Sequence, residues 1–391
     1  MLNKQPLKIV AIGHETSLSG APILLFNLFA LLKEKATYSI EFAILRDGPL
    51  TPMYKALFPV LILKSSTYGK EINILQKAYN FINNKIQLGR LAWRIFNCDF
   101  IFSNTIVNGK VIRLFSLFGK PVITYVHELE SVIDTYLQLG NAVYSIESSD
   151  VFAYPSEKVR SLLQHRYSIP PEKLLPLSYY FPFKNSSIIT DFAMNLNGRE
   201  KYGIATSDFV VGGMGFASER KGTDLFVDVF NLVYSKNQHI KFCWVGDFES
   251  DEFKRMVYEK IPKDAFGKNI IFTGSLINSF SNYTAMDMFF LSSREDPYPL
   301  VVLEAAWMGK PSICFKDSGG IPEFVEDDAG WIVENYDMQS VCNRILDLFN
   351  NHSEIEAKGN CAREKVVRLH GDGDLVSAQF EHLLLNAKAS G

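Results

Sequence analysis

The chain has 391 residues, 47% of them hydrophobic, which is more than one hydrophobic core usually holds together. Its 40 Lys and Arg against 43 Asp and Glu give a formal net charge of −3 and no long-range field that would attract nucleic acid. Two compact domains are expected, and a disordered, fibrous or nucleic-acid-binding protein is disfavoured.

The five cysteines are widely spaced and include no CxxC pair, which is typical of a reducing compartment and gives no sign of a zinc site. The first apolar run is too short for the core of a signal peptide, and no later stretch reaches about 18 apolar residues. The sequence therefore predicts a cytoplasmic protein. The 30 phenylalanines leave peripheral contact with the inner face of a membrane open.

Short β-branched runs alternate with amphipathic stretches, which is typical of βαβ units around parallel sheets. A first series of strands is predicted at 7–12, 39–45, 60–63, 99–102, 121–126 and 151–154. Helices are predicted at 21–35 and 157–165. This series defines an N-terminal domain over residues 1–183.

From about residue 169 to residue 199, four prolines and a polar stretch interrupt the periodicity, and a linker is predicted at 184–200. A second series of strands follows at 209–214, 240–245, 270–272, 288–291 and 311–315, with helices at 222–235, 300–308 and 340–350. This C-terminal domain is predicted to span residues 201–371. The closing helix, at about 372–391, is expected to pack back on the N-terminal domain. The fold class is α/β, and ligands are expected in a cleft lined by the carboxyl ends of the strands.

The segment 292–309, SSREDPYPLVVLEAAWMG, runs from a polar loop straight into a helix that starts near Leu300. Pro299 suits the first helical turn, and the free N–H groups at Leu300 and Val301 suit a phosphate or a ribose. Asp296 in the loop and Glu304 on the helix could accept hydrogen bonds from two separate sets of hydroxyls. Simple capping of the helix is the alternative.

The segment 209–224 is an apolar strand followed by glycines and then by Arg220 and Lys221. Small residues such as Gly215 let the backbone approach a ligand, and the paired cations can neutralise a diphosphate. A solvated surface pair is the alternative.

Two further segments follow predicted strands of the N-terminal domain. His127, next to Glu128, could donate hydrogen bonds to a hydroxyl or to developing charge, or could be a structural histidine. The polar stretch 13–22 leads into a helix at Gly20 and Ala21, and the side chain of Ser19 is expected to cap that helix.

Together these segments resemble glycosyltransferase family 4, the glycosyl transferases group 1 of the retaining GT-B superfamily. The run from Asp296 to Glu304 is similar to the E-x7-E motif of that family, with Asp in place of the first Glu. The resemblance implies that Asp296 contacts the transferred sugar and Glu304 the ribose of the nucleotide. It further implies that Lys221 binds the donor phosphates and that His127 lies near the sugar.

The resemblance extends over about residues 205–335 and is looser in the N-terminal half, where Gly20 and Ala21 match a glycine-rich loop that approaches donor phosphate and acceptor. One departure concerns an arginine that many members place five residues before the lysine. Phe216 stands there in this chain, and Arg220 could replace that arginine.

The resemblance implies a GT-B fold, with two Rossmann-like domains facing across a cleft. It implies transfer of a hexose-type sugar from a nucleotide-diphosphate sugar to a glycan or lipid-linked acceptor, with retention, in cell-surface polysaccharide or lipopolysaccharide synthesis. No DxD pair follows a strand in a metal-binding context, so no metal or other cofactor is expected. A GT-B-like sugar-nucleotide epimerase and a non-catalytic sugar-nucleotide-binding subunit remain as alternatives.

Overall fold

The computed structural model describes residues 5–64, 74–182, 198–274 and 280–390. The chain divides into two compact units, Met1–Phe181 with Asp372–Gly391, and Pro182–Gly371. Of the predicted linker, residues 184–197 lie outside the described residues. Its last three residues belong to a short helix, α8 (Gly198–Lys201).

In the first unit, the described residues form a parallel sheet of seven strands in the order β3-β2-β1-β4-β5-β6-β7. The strands are β1 (Leu7–Glu15), β2 (Tyr38–Arg46), β3 (Val60–Lys64), β4 (Phe100–Ser103), β5 (Val122–Tyr125), β6 (Val151–Tyr154) and β7 (Leu174–Pro176). The helices are α1 (Gly20–Glu34), α2 (Thr51–Leu57), α3 (Ile74–Phe96), α4 (Gly109–Phe115), α5 (Glu130–Gln138), α6 (Asn141–Ser148) and α7 (Glu157–His165).

The sheet of the first unit is covered on both faces, as a parallel sheet requires. Alternation along β4 separates the two layers, because neighbouring residues of a strand point to opposite faces. Ile101 packs with Ile95 of α3 and Phe115 of α4. Phe102, the next residue, packs instead against Phe29 of α1.

The layer that contains α1 also holds the last helix of the chain, α16 (Gly373–Ser390). The ring of Phe380 on α16 lies 5.8 Å from that of Phe29 and 5.7 Å from that of Phe102, measured between centroids. The amphipathic closing segment therefore completes the core of the first unit.

The second unit has a parallel sheet of six strands in the order β10-β9-β8-β11-β12-β13 within the described residues. The strands are β8 (Phe209–Met214), β9 (Ile240–Val245), β10 (Ile270–Phe272), β11 (Met288–Leu291), β12 (Ser312–Phe315) and β13 (Gly330–Val333). Besides α8, the helices are α9 (Thr223–Tyr234), α10 (Asp251–Glu259), α11 (Phe280–Tyr283), α12 (Leu300–Trp307), α13 (Pro322–Val325), α14 (Met338–Phe349) and α15 (His352–His370).

The first six strands of one sheet and all six of the other follow the same plan, in which the chain moves outward over three strands, returns to the middle and continues on the other side. This is the doubly wound order of Rossmann folds, and its switch point lies between the first and the fourth strand. The predicted α/β class with two Rossmann-like domains is confirmed. The switch points are β1 with β4 in the first unit and β8 with β11 in the second.

Three local predictions need correction. The first strand continues to Glu15, because residues 13–15 keep pairing with β2 and so are not part of a loop. The segment after residue 169 contains strand β7, which pairs with β6 at the edge of the sheet, where its final proline is tolerated. Ser19 stands at the N-cap of α1, but its side chain makes no capping hydrogen bond and contacts Ser17 Oγ instead, at 2.8 Å.

Candidate functional site

The segments that follow β8 and β11 meet at the switch point of the second unit. Gly222, just before α9, has φ of +65°, and a Cβ there would lie 1.9 Å from the carbonyl oxygen of Ser292. Ser292 Oγ donates to the carbonyl of Lys221 at 3.1 Å, and Arg294 N donates to the carbonyl of Arg220 at 2.9 Å. A glycine at 222 is therefore what allows the two loops to close on each other.

Lys221 and Asp296, which the sequence analysis assigns to different parts of a ligand, form an ion pair between Lys221 Nζ and Asp296 Oδ2. Their side chains are 16% and 7% exposed. Ser293 Oγ also lies 3.4 Å from Asp296 Oδ2. The stem of Lys221 passes beside Gly215, where an added Cβ would come within 3.6 Å of Lys221 Cε. The pair is thus nearly buried and lies beside the backbone of Gly215, which has no side chain.

The loop that carries Asp296 is held by the loop after β12. Asp296 N donates to the carbonyl of Ser318 at 2.7 Å, and Gly320 N donates to the carbonyl of Pro297 at 3.0 Å. Gly319 between them has φ of +135°, and a Cβ there would lie 1.6 Å from the carbonyl oxygen of Asp296. The position of the carboxylate therefore depends on a glycine more than twenty residues further along the chain.

Arg220 is exposed, and its guanidinium donates to the carbonyl of Glu295 at 2.6 Å. Phe216 is 58% exposed. Neighbouring Arg294, by contrast, makes two hydrogen bonds of 2.7 Å to the carboxylate of Asp224, which hold the pKa of that carboxyl below its usual value. Of these two arginines, Arg220 is therefore the one with an exposed side chain, whereas Arg294 is held in an ion pair with Asp224.

Helix α12 begins at Leu300 as predicted, with Pro299 as its N-cap residue. Glu304, one turn in, is buried, and its Oε2 accepts a hydrogen bond of 2.8 Å from the hydroxyl of Tyr283. The same hydroxyl lies 3.1 Å from the carbonyl oxygen of Val301. Burial raises the pKa of Glu304 to about 7, because the charged form is poorly solvated there, and the Tyr283 hydrogen bond opposes that shift.

A second group of polar residues lies at the carboxyl edge of the first unit's sheet. His127 Nε2 is 3.0 Å from Asn104 Oδ1, and Asn104 Nδ2 donates to the carbonyl of Ala21 at 2.8 Å. Because the amide nitrogen of Asn104 donates to Ala21, the side-chain oxygen of Asn104 is the atom that faces His127. This oxygen can only accept, so Nε2 of His127 carries the proton. His127 Nδ1 then accepts from the hydroxyl of Tyr179, at 3.2 Å.

This arrangement favours a neutral imidazole. Burial, together with the positive charge that His14 can carry, lowers the pKa of His127 to about 3. Glu128, the next residue, accepts hydrogen bonds from the hydroxyl of Thr105 and from the backbone N–H of His127. Burial raises the pKa of Glu128 to about 7.

Two more of the predicted site residues, Gly20 and Ala21, lie at the start of α1. Gly20 is the first residue of that helix, followed by Ala21, whose carbonyl accepts from Asn104. His14 Nε2 lies 3.5 Å from Glu15 Oε1, and burial lowers the pKa of His14. The structure therefore brings Ala21 and His127 together through one asparagine.

Sequence reasoning missed three side chains of these two groups: Asn104, Tyr179 and Tyr283. Asn104 was detectable, because it directly follows β4, the strand beside β1 at the switch point. Tyr179 and Tyr283 lie outside any recognisable motif and reach the site only through tertiary packing.

Within the described residues, no cluster of three or more His, Cys, Asp or Glu side chains is arranged to hold a metal ion. No helix in the described ranges is both long and apolar enough to cross a bilayer.

Residues 208–351, which include β8, β11 and α12, match the family model described as Glycosyl transferases group 1. Among curated proteins, the chain is 26% identical over 172 residues to the capsular polysaccharide biosynthesis glycosyltransferase CapM of Staphylococcus aureus, covering 43% of this chain and 44% of that protein. It is 23% identical over 189 residues to a poly(ribitol-phosphate) alpha-N-acetylglucosaminyltransferase of Staphylococcus aureus strain COL, covering 48% and 37%. The chain therefore spans less than half the length of these two relatives.

Among solved structures, Anabaena Alr3699/HepE in complex with UDP-glucose superimposes with a TM-score of 0.77, at 17% sequence identity, covering 97% of this chain and 99% of that one. The two parallel-sheet domains thus have the fold of GT-B glycosyltransferases.

Proposed function

We propose that this protein is a retaining glycosyltransferase of family 4, which moves a hexose-type sugar from a nucleotide-diphosphate sugar to a glycan or lipid-linked acceptor. The observation that carries the proposal is the nearly buried Lys221–Asp296 pair at the switch point, within the segment that matches group 1. The UDP-glucose bound by HepE supports a nucleotide-sugar donor. The names of the two Staphylococcus aureus relatives support a role in cell-surface polysaccharide synthesis, with lipopolysaccharide as the other setting.

In this proposal the second unit binds the donor. The ammonium of Lys221 has three N–H donors, so it can hold Asp296 and a phosphate oxygen together. Arg220 supplies a second cation, and the N–H groups of Leu300 and Val301 at the start of α12 supply further donors. Glu304 accepts from the ribose hydroxyls and Asp296 from hydroxyls of the sugar.

The first unit contributes His127, which would hydrogen-bond the transferred sugar as the family resemblance implies. Its Nδ1 would then accept from a sugar hydroxyl in place of the hydroxyl of Tyr179. A neutral imidazole suits this role, because it adds no positive charge that would compete with Lys221 for the diphosphate. Gly20, Ala21 and Gly215 have little or no side chain, which allows close approach of backbone to ligand.

The chemistry proposed is front-face transfer. The bond between the anomeric carbon and the diphosphate oxygen breaks, and the acceptor oxygen bonds to the same face of the sugar. The departing diphosphate takes the proton of the acceptor hydroxyl, while Lys221, Arg220 and the start of α12 stabilise its charge. No carboxylate is assigned to the opposite face, where a double displacement would need one.

The reaction needs no metal in this proposal, because the two cations and the helix start take the place of a divalent ion beside the leaving group. The proposed location is the cytoplasm, with peripheral contact at the inner face of the membrane.

The test is to incubate the purified protein, in EDTA, with a panel of nucleotide sugars and candidate acceptors and to follow release of nucleoside diphosphate. We expect release that survives EDTA and falls at least about a hundredfold in Glu304→Ala, because one lost charge-assisted contact costs about 1.5–3 kcal/mol in binding and positioning is lost as well. Exposed Glu259→Ala is the matched control.

The outcomes separate the alternatives. Interconversion of the nucleotide sugar without an acceptor would show an epimerase, and tight donor binding without turnover would show a binding subunit. Loss of all activity in EDTA, restored by a divalent ion, would overturn the metal-independent mechanism. The anomeric proton coupling of the product distinguishes retention from inversion.

A further inference from the structure

Large hydrophobic side chains project into solvent from the face of the first unit that α3 and α4 cover. Trp93 is 69% exposed, Phe96 63% and Leu117 91%. The rings of Phe96 and Phe118 lie 6.0 Å apart, which joins the end of α3 to the 3-10 turn after α4 in one surface. We call this surface the α3–α4 patch: Ile86, Trp93, Phe96, Leu114, Leu117 and Phe118.

The core beneath the patch does not require these side chains. Leu91 and Ile95 fill the buried side of α3 and pack with Ile112 and Phe115 of α4. Ile86 and Trp93, seven residues apart, lie on the opposite side of α3. Exposed apolar surface of this kind, concentrated in one place, marks an interaction site.

The sequence that forms α3, α4 and their flanks is basic. Between residues 72 and 127 the sequence has seven Lys and Arg, and Asp99 is its one acidic residue. Asp99 accepts a hydrogen bond from the backbone N–H of Lys8 at 2.8 Å. Arg90 and Lys110 are exposed on the two helices of the patch. Arg94 is paired with Glu41 and Arg113 with Glu147, so Arg90 and Lys110 are the cations that give the surface around the exposed aromatics its positive charge.

This charge decides between two occupants. A second copy of the chain in a two-fold contact would place the patch against itself and oppose its cations to one another. An anionic lipid surface complements the cations, and Trp and Phe are favoured at the depth of the headgroups.

We propose that the α3–α4 patch docks the protein on an anionic lipid bilayer. The inference rests on the proposed function only in linking this contact to a lipid-linked acceptor. Docking itself is measured without donor or acceptor, so its failure and the failure of glycosyl transfer are separate results.

The experiment is sedimentation of the full chain with phosphatidylglycerol–phosphatidylcholine vesicles and with vesicles of phosphatidylcholine alone. We expect binding to the anionic vesicles that weakens as salt rises. Arg90→Glu and Lys110→Glu should each lower the partition coefficient at least about fivefold, since one cation near such a surface contributes about 1 kcal/mol. Trp93→Ser with Leu117→Ser should lower it at least about tenfold.

Matched controls lie on α16, in the layer on the other face of the sheet. Leu385 is 70% exposed and Lys388 is exposed, so Leu385→Ser and Lys388→Glu remove the same kinds of group elsewhere on the first unit. Thermal unfolding checks that all variants fold, and exposed substitutions should leave Tm nearly unchanged.

Three results would overturn the proposal: vesicle binding that the patch variants do not reduce, equal losses in the α16 controls, and absence of vesicle binding by the wild type. Analytical ultracentrifugation gives the other occupant its test. A wild-type dimer that the Trp93→Ser and Leu117→Ser changes convert to monomer, without vesicle binding, would assign the patch to a second copy.

Discussion

His127 Nε2 donates to Asn104 Oδ1 at 3.0 Å, and the same amide donates to Ala21 at the start of α1. Asn104 is therefore a positioning residue that fixes both the tautomer and the orientation of the imidazole. We expect Asn104→Ala to lower kcat at least about tenfold, because a buried group left unpaired costs about 1–3 kcal/mol.

A spectroscopic readout separates positioning from loss of fold. Nitrogen-15 NMR of the wild-type imidazoles should show His127 protonated at Nε2 and neutral down to about pH 4, since burial lowers its pKa to about 3. Asn104→Asp should raise that pKa by adding a negative charge. The control is Asn350→Ala, which changes an exposed asparagine between α14 and α15. A wild-type signal from the Nδ1-protonated form would contradict the assignment.

The Lys221–Asp296 pair should show strong coupling in a double-mutant cycle. Lys221→Met or Asp296→Asn alone leaves a nearly buried charge without its partner, which should lower the free energy of unfolding by about 3 kcal/mol. The double variant should lose less than the sum of the two. Urea unfolding followed by tryptophan fluorescence measures this. The exposed Lys316–Glu334 pair, with side chains 58% and 62% exposed, should give a coupling under about 1 kcal/mol.

Glu304 should make stability depend on pH. Its carboxyl holds a proton in the folded state up to a pKa of about 7, whereas the unfolded chain releases it near 4.5. The folded state is therefore favoured below pH 4.5, and that contribution is lost as pH rises through 7. Relative to Glu304→Gln, the wild type should lose roughly 3 kcal/mol across this window. Paired urea titrations from pH 4.5 to 8, with Glu259→Gln as the control, check the slope, and parallel curves would refute it.

The same carboxyl should couple proton release to nucleotide binding. If ribose hydroxyls donate to Glu304, as proposed, they favour its ionised form, so a nucleoside diphosphate should release protons near pH 7 and bind more tightly as pH rises. Calorimetry in two buffers of different ionisation enthalpy measures the release. Glu304→Gln should abolish it, and unchanged release in that variant would remove Glu304 from the binding site.

Gly319 should tolerate no side chain, because an added Cβ would meet the carbonyl of Asp296. Gly203 also has positive φ, at +63°, but nothing lies within 4 Å of its added Cβ. Gly203→Ala should cost about 1 kcal/mol from backbone strain. Gly319→Ala should cost at least ~2 kcal/mol more and weaken nucleotide binding. Equal costs would show that the loop moves freely.

The sequence predicts the architecture well, because each strand is recognisable from its own short apolar segment. The four strands predicted from 209 to 291 coincide with β8, β9, β10 and β11. It also picks out Lys221, Asp296 and Glu304, which follow parallel strands. It does not predict that Lys221 pairs with Asp296, since that contact joins loops 75 residues apart. The roles of Tyr283 and Tyr179 are not predicted for the same reason, because packing between distant segments leaves no local pattern in the sequence.

Because Phe380 packs against Phe29 and Phe102, the unit whose sheet is synthesised first is the later of the two units to be completed. All of the second unit is synthesised before α16 emerges. Until then, the nascent first unit lacks one of its core aromatics and exposes the surface that α16 later covers. Order of synthesis and order of completion are thus reversed for these two units, and removal of α16 would open the core of the first unit.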